Sequence, residues 1–337
     1  MSERRRGTAP EAQSTGRVAE VLEAGAGTVA FRLLSDATAE ELLSGAGVSK
    51  TCQKRIFAEG RLVAEGAPLK AKDRICRGGT ATLACVLPKQ EGTPDDPSHA
   101  AEPAQVLCED PFALVAAKPA GILVHSDGAD GAEDTLTARV RRHLAEEGKP
   151  PLAQAVQRLD VETTGCVLFS LMPEFQGGFD ALVAGHGMQK LYLAGVQGSL
   201  PEGRMRICAP IGRDRHDAHR MRISPGGKDA ESLVWCVTRA KGCSLALVEL
   251  KSGRRHQIRV HLAGKGYPVL GDPLYGNPAS QGADGLQLHC WRESFVHPVT
   301  GRHIVAEASW PESFNVRFSR RAIERGLAAW LKEHGDA

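Results

Sequence analysis

The 337-residue chain has no long apolar run. Its longest, near Gly165 to Met172, falls far short of the ~18 residues a membrane span needs. Arg4, Arg5 and Arg6 are followed by no apolar region, so a secretory signal is not expected and the cytoplasm is the expected compartment. Closely spaced cysteines are also missing. The nine cysteines are an odd number scattered from Cys52 to Cys290 with no C-x-x-C, which argues against a disulfide framework and a structural zinc site. They read as small buried hydrophobes in a reducing compartment. Aromatic residues make up only 5%, with three tyrosines, and an excess of one charge is lacking, since the net is +2. The totals therefore say nothing about nucleic acid. What is present, 42% apolar and 24% charged residues, is ordinary for a globular protein and excludes wholesale disorder. At ~150 residues per domain, the length suggests about two domains.

Residues 1–28 carry little periodic pattern and are expected to be a poorly structured lead-in. Gly25-Ala26-Gly27-Thr28-Val29-Ala30 fits G-x-G-x-x-A, but no buried strand precedes it and no clear helix follows, so the dinucleotide reading fails. Residues 88–104, rich in Gly, Pro, Asp, Glu and Ser, read as an acidic linker. They separate a module at 29–87 from one at 105–337. In the first, a short helix over Ala39–Leu43 ends at Gly45 and Gly47. A second starts at the N-cap Ser49 and stops at Gly60, and strands follow at Arg61–Ala64, Arg74–Cys76 and Thr80–Leu87. From Lys50 to Arg77 there are eight Lys or Arg against the acids Glu59, Glu65 and Asp73. A solvated helix face is the bland reading. The local excess instead favours a phosphate-backbone footprint, with Lys50, Lys54 and Arg55 on the exposed helix.

The second module alternates short strands and Gly-rich turns. Strands are expected at Phe112–Ala117, Ile122–His125, Val167–Leu171, Leu191–Gln197, Leu233–Thr238, Ser244–Leu250, Leu286–Phe295 and His303–Trp310. Asp134 is placed to cap a helix over Thr135–Glu147, and Phe318–Glu333 reads as a last amphipathic helix. Helices do not alternate regularly with strands, so an α+β protein with a largely antiparallel sheet fits better than a parallel α/β fold.

Three segments of this module carry chemistry. In Gln157-Arg158-Leu159-Asp160, ahead of Thr163-Thr164-Gly165, the carboxylate falls at the rim of a sheet. An isolated Asp there would be turn chemistry. In Gly253-Arg254-Arg255-His256-Gln257-Ile258-Arg259-Val260-His261-Leu262, Arg255 and Arg259 are spaced as neighbours on a helix. Such a like-charged pair costs ~0.2 to 0.5 kcal/mol unless an anion offsets it. Lys251 to Lys265 holds five basic residues and no acid, so the anion must come from elsewhere in the fold or from a ligand. In Lys190-Leu191-Tyr192-Leu193-Ala194, a rare tyrosine interrupts an apolar strand, and alone it reads as a core or edge residue with its hydroxyl satisfied. His216 and His219 form H-x-x-H among Arg213, Arg215, Arg220 and Arg222, which would repel a cation. No metal is expected.

Together with Lys118-Pro119-Ala120-Gly121, Gly271-Asp272-Pro273-Leu274-Tyr275-Gly276 and His289-Cys290-Trp291 before His297-Pro298, these segments resemble the RluA-type pseudouridine synthases from about Val106 to Trp310. Gln157 stands where that family commonly has His, Val161-Glu162 where it has another pair, and Ala117 where Asn is common. Residues 30 to 87 resemble the S-four RNA-binding domain, through Gly47-Val48-Ser49-Lys50, Glu59-Gly60-Arg61-Leu62-Val63 and Leu69 to Gly79. There Val63-Ala64-Glu65-Gly66 replaces a usual Val-Asn-Gly turn.

The resemblance implies a mixed, largely antiparallel sheet with a central RNA-binding cleft, preceded by a small α/β RNA-binding domain. It implies isomerisation of uridine to pseudouridine in RNA, with ribosomal large-subunit RNA as the expected substrate and transfer RNA as the alternative. Asp160 would be the catalytic carboxylate, Arg259 its ion-pair partner, and Tyr192 a platform stacked on the uracil that also helps take the proton from its carbon. Arg158 would fill the space left by the flipped base. Lys190, Arg254, Arg255, His256 and Gln257 join the expected RNA contacts. No cofactor, no metal, no membrane contact and a monomer are expected. A nucleoside or glycoside hydrolase would normally show a second carboxylate, and Glu162 has no counterpart in the motif. An RNA-binding assembly factor without catalysis would not need Asp160, Tyr192 and Arg259 together.

Overall fold

The computed structural model describes residues 16–25, 27–87, 95–128, 134–276 and 285–335. The chain divides into two compact units. One holds Met1–Val86 with Glu174–Phe179 and Val296–Ile304, and the other holds the remainder.

The first unit contains β1 (Ala19–Gly25), β2 (Thr28–Leu33), β3 (Ala37–Thr38), α1 (Ala39–Gly45), α2 (Lys50–Ala58), β4 (Leu62–Ala64), β5 (Ala67–Pro68), β6 (Arg74–Ile75) and β7 (Thr80–Ala84). The sheet runs β1-β2-β7-β4-β5, and β3 pairs with β6 apart from it. Alternation builds its inner face, since Val29, Phe31 and Leu33 of β2 and Ala81 and Leu83 of β7 are buried. Thr38 and Glu41 form a capping box on α1, and the Ser49 hydroxyl accepts from the Cys52 amide at the start of α2. Helix α2 buries Cys52, Gln53 and Ile56 and leaves Lys50, Lys54 and Arg55 exposed. One expectation is corrected here. The lead-in is not unstructured throughout, because Ala19–Gly25 pairs antiparallel with β2. No β1 residue is fully buried, which leaves no alternation to read in the sequence.

The second unit contains β8 (Gln105–Glu109), β9 (Ala113–Lys118), α3 (Leu136–Glu146), β10 (Gln154–Ala155), β11 (Thr164–Ser170), α4 (Gln176–Ala184, its first residues counted in the first unit) and β12 (Met188–Gln197). Then come β13 (Arg204–Cys208), β14 (Ile211–Arg213), β15 (Met221–Ile223), β16 (Glu231–Ala240), β17 (Cys243–Leu250), α5 (Gln257–Gly264), β18 (Leu288–Val296), β19 (His303–Glu307) and α6 (Arg320–His334). The main sheet runs β13-β16-β17-β12-β18-β11-β9-β8, with β10 on β11 and β19 on β18. Only the short β11–β18 ladder is parallel among the registers described. The α+β architecture read from the sequence is what the unit adopts.

Leu191, Leu193, Leu245, Leu247 and Trp291 face Phe314, Ile323, Leu327 and Trp330, so α6 covers one face of the sheet. Ser232 points to the other face, where its hydroxyl meets His261 Nδ1 of α5 at 3.0 Å. Tyr192 alternates with Leu191 and Leu193 and so lies on the α5 side.

Two local readings are corrected. Ile122–His125 is not a strand. Its carbonyls instead serve the start of α3, with Leu123 O accepting from Leu136 N and Val124 O from Thr137 N. The N-cap of that helix is Thr135, not Asp134, whose carboxylate pairs with Arg139 at 2.6 Å. Residues 88–94 of the expected linker lie outside the described residues. From Asp95 the chain is anchored: its carboxylate accepts from Ser126 N at 2.9 Å and Thr135 Oγ1 at 2.7 Å.

Candidate active site

The segment Gln157–Thr163 leads from β10 into β11 and is gripped after Asp160. The buried Lys118 ammonium donates to Pro119 O at 2.9 Å, Val161 O at 2.6 Å and Thr163 O at 3.1 Å. Burial pulls its pKa down to about 8, while three carbonyls match the three protons of the charged form. Gly165 fixes the start of β11. Its φ of +111° and its approach to β18, where a Cβ would sit 2.1 Å from Cys290 O, leave no room for a side chain. These constraints hold Leu159 in the core and leave Asp160 at the rim, 27% exposed at its side chain.

Arg259 of α5 reaches this carboxylate. Its Nη1 donates to Asp160 Oδ2 at 2.9 Å, while Nε and Nη2 donate to Asp272 Oδ2 and Oδ1, both at 2.8 Å. The planar guanidinium thus orients one carboxylate by being clamped on another. Asp272 is fully buried and also accepts from Leu274 N and Tyr275 N. Burial alone would raise its pKa. The Arg259 bonds and the two amides outweigh that, and the pKa is lowered. For Arg259, burial lowers the pKa and the two carboxylates raise it, with a net rise. The anion that the basic segment lacked is therefore supplied twice, by Asp160 and by Asp272.

Helix α5 begins at Gln257, because His256 takes a left-handed φ of 55°. Arg255 therefore lies outside the helix, and the expected Arg255–Arg259 helical pair does not exist. The turn aims His256 at the site: Nε2 is 3.8 Å from Asp160 Oδ1, and Nδ1 lies 2.9 Å from the Tyr275 hydroxyl. Burial lowers the His256 pKa, with Arg259 and Arg255 adding to that and Asp160 opposing it. Tyr275 ties the site together. Its hydroxyl accepts from Met221 N at 2.7 Å, and the Arg259 and Arg220 guanidinium carbons lie 5.2 and 5.3 Å from its ring centre.

Tyr192 is 6% exposed and sits across from Cys290 on β18. Burial pushes its pKa well up, so the phenol stays protonated. Arg158 and Arg255 are exposed, and Lys190, Arg254 and His256 are half-buried. Arg254 Nε donates to Asp229 O at 2.9 Å. Gln257 is a correction. Expected among RNA contacts, it is 2% exposed, and its amide is spent on Ser252, Arg254 N, Glu231 O and Ser232. Lys50, Lys54 and Arg55 belong to the first unit. His216 and His219 sit between β14 and β15, their amides donating to Asp214 and Asp217. Sequence reasoning quoted Asp272 and Tyr275 within a motif but gave them no role, and it missed Glu293. A buried-acid requirement beside the five uncompensated cations was the signal for Asp272.

Comparison with known proteins identifies the family. A family model described as RNA pseudouridylate synthase matches residues 113–264. The uncharacterized RNA pseudouridine synthase YhcT of Bacillus subtilis (strain 168) is 37% identical over 208 residues, covering 61% of this chain and 68% of that one. Ribosomal large subunit pseudouridine synthase D of Neisseria meningitidis serogroup A is 31% identical over 286 residues, covering 81% and 75%. Among solved structures, human RNA pseudouridylate synthase domain containing 1 shares the fold at a TM-score of 0.55 and 21% identity, covering 72% of this chain and 98% of that one. The fold is thus that of an RNA pseudouridylate synthase. At the level of sequence, the chain belongs to the RluA-type family of RNA pseudouridine synthases.

Proposed function

We propose that this enzyme isomerises uridine to pseudouridine in ribosomal large-subunit RNA, with Asp160 as the reacting carboxylate. The observation that carries the reading is the Asp160–Arg259–Asp272 array. It offers a rim-exposed carboxylate whose orientation is fixed by a guanidinium clamped on a second, buried carboxylate. Breaking the bond from ribose to the base nitrogen develops positive charge at the anomeric carbon, which a fixed carboxylate stabilises or traps. The detached uracil must then be held while it turns and rejoins through carbon. Tyr192 serves as its stacking platform with the hydroxyl protonated. The target base has to leave its stack, at a cost of a few kcal/mol, and Arg158, which is exposed, fills the gap.

The exposed Lys50, Lys54 and Arg55 on α2, in the S-four-like module, contribute phosphate contacts, as do Arg255, Arg254, Lys190 and His256. The protein works as a monomer in the cytoplasm. Nine free thiols suit a reducing compartment, and among the described residues no helix is long and apolar enough to cross a membrane. The name of the Neisseria relative supports the choice of ribosomal RNA. The test is to incubate the protein with large-subunit ribosomal RNA and with transfer RNA transcripts and to map pseudouridines. Pseudouridine in intact ribosomal RNA is expected. Free uracil would mark a hydrolase, modification of transfer RNA alone another substrate, and unmodified bound RNA an assembly factor.

A further inference from the structure

Glu293 is a fully buried carboxyl on the site side of the sheet for which the reaction as described has no use. A β-bulge brings it there. Lys190 pairs with Glu293 and Leu191 with Arg292, but Tyr192 pairs with Cys290, so Trp291 is the extra residue of β18. In a regular strand, residues 290 and 293 would point to opposite faces. The bulge puts Cys290 and Glu293 on the same face as Tyr192. Side-chain bonds then link the strand opposite Tyr192 to the loop that carries Asp160. Tyr192 lies directly across from Cys290 on the neighbouring strand. The Cys290 thiol donates to Glu293 Oε1 at 3.6 Å, and Gln157 Nε2 donates to the same oxygen at 2.5 Å. Gln157 is three residues before Asp160. Lys118 grips the loop after Asp160, and Glu293 grips it before.

The acceptors decide the protonation. Gln157 Oε1 and Glu293 Oε2 are both buried and, among the described residues, have no hydrogen-bond partner. An ionised carboxylate adds only acceptors, whereas one proton on Oε2 supplies the donor that the amide oxygen lacks. The groups facing Glu293 are Lys190 on β12, the Tyr192 phenol, and the thiols of Cys290, Cys166 on β11 and Cys108 on β8. Lys190 is half-buried and opposes the proton, but no hydrogen bond joins it to the carboxyl.

We propose that Glu293 and Gln157 form a buried acid–amide bridge, with the carboxyl protonated, that positions the Asp160 loop against Tyr192. Glu293 is a positioning residue, and the bridge opens when it ionises. Burial places that step at about pH 7, opposed by Lys190 and by the bonds from Cys290 and Gln157. The proposal rests on the roles assigned to Asp160 and Tyr192 above.

The experiment measures single-turnover pseudouridine formation from pH 5.5 to 9 on the full chain. Wild type is expected to lose about tenfold per unit above pH 7. Glu293→Gln keeps a neutral bridge, so the falling limb should vanish with the low-pH rate within about threefold of wild type. Gln157→Ala should lower kcat about tenfold with KM within about twofold, and Glu293→Ala combined with it should do no further harm. A second measurement does not need activity: the infrared band of a protonated carboxyl, present at pH 6, absent in Glu293→Gln, and titrating near 7. A falling limb that survives in Glu293→Gln, or a carboxyl band missing at pH 6, overturns the bridge. Absence of pseudouridine from wild type would overturn the functional reading instead, while the infrared titration still decides this one.

Discussion

Asp272 and Glu293 are both fully buried in the same unit, and the chain treats them in opposite ways. Asp272 receives two bonds from the Arg259 fork and two from backbone amides, and its pKa falls although burial pushes upward. Glu293 receives one amide and one thiol, and burial takes it up to about 7. Burial therefore does not decide whether an interior carboxyl is charged. The number and charge of its donors do. The first arrangement makes an anion that clamps a cation against the rim carboxylate of Asp160. The second makes a neutral group suited to hold a loop.

The largest expected effect lies where the charged cluster reaches solvent. Asp160→Asn keeps the shape and removes the charge, so pseudouridine formation should fall on the order of 10³-fold or more while RNA binding stays within about threefold. Comparable turnover in the Asn variant would remove Asp160 from the reaction. Arg259→Lys comes next. A single ammonium cannot reproduce three bonds to two carboxylates in one plane, so kcat should drop about a hundredfold with the net charge unchanged. A fully active Lys variant would mean that charge alone suffices and that the clamp is irrelevant.

Asp272→Ala tests the charged cluster as structure. It leaves Nε and Nη2 of a buried guanidinium without their acceptor while Nη1 keeps Asp160, so the cost should be below the about 3–5 kcal/mol of a fully broken buried pair, read as a fall in the urea midpoint with an unchanged slope. The pH dependence has a fixed sign. The folded pKa of Asp272 lies below its ordinary 3.8, so its contribution is present above that value and is lost as pH falls through the folded pKa. The gap in urea midpoint between wild type and Asp272→Ala should therefore narrow as acid is added below that value. A gap that stays constant in acid would mean that the carboxylate charge contributes nothing to the fold.

How much of this was legible in the sequence depends on which forces are local. The Asp160–Arg259 pair could be anticipated because an ordered series of motifs carries it and because five cations without an acid demand an anion. The second anion, Asp272, sat in a quoted motif, but its charged donor comes from α5, thirteen residues away in sequence. The helix start was misread because His256 leaves helical geometry to meet Tyr275, a tertiary contact that spacing cannot show. Gln257 was assigned to RNA by its neighbours, whereas the strand that carries Ser232 claims its amide. Strand β1 escaped because it buries no residue completely. Glu293 was illegible because its face depends on one bulged residue, which reverses every side chain after it.

The smallest effect separates the two carboxyls by the sign of their pH dependence. The folded pKa of Glu293 is raised from 4.5 to about 7, so the native state keeps a proton that the unfolded chain has lost. Stability from this group is greatest below 4.5, declines as pH rises toward 7, and is flat above, since both states are then ionised. The full decline is at most about 3 kcal/mol. Glu293→Gln removes the titration, so the difference in unfolding free energy between wild type and variant should slope downward between pH 4.5 and 7 and level off beyond. Other titrating groups cancel in that difference. Asp272 gives the mirror image, with losses confined to acid. A wild-type-minus-variant curve that is flat from pH 4.5 to 7 would mean that Glu293 ionises in the native state as it does in the unfolded chain. It would then be a buried anion like Asp272, and the contrast between the two carboxyls would collapse.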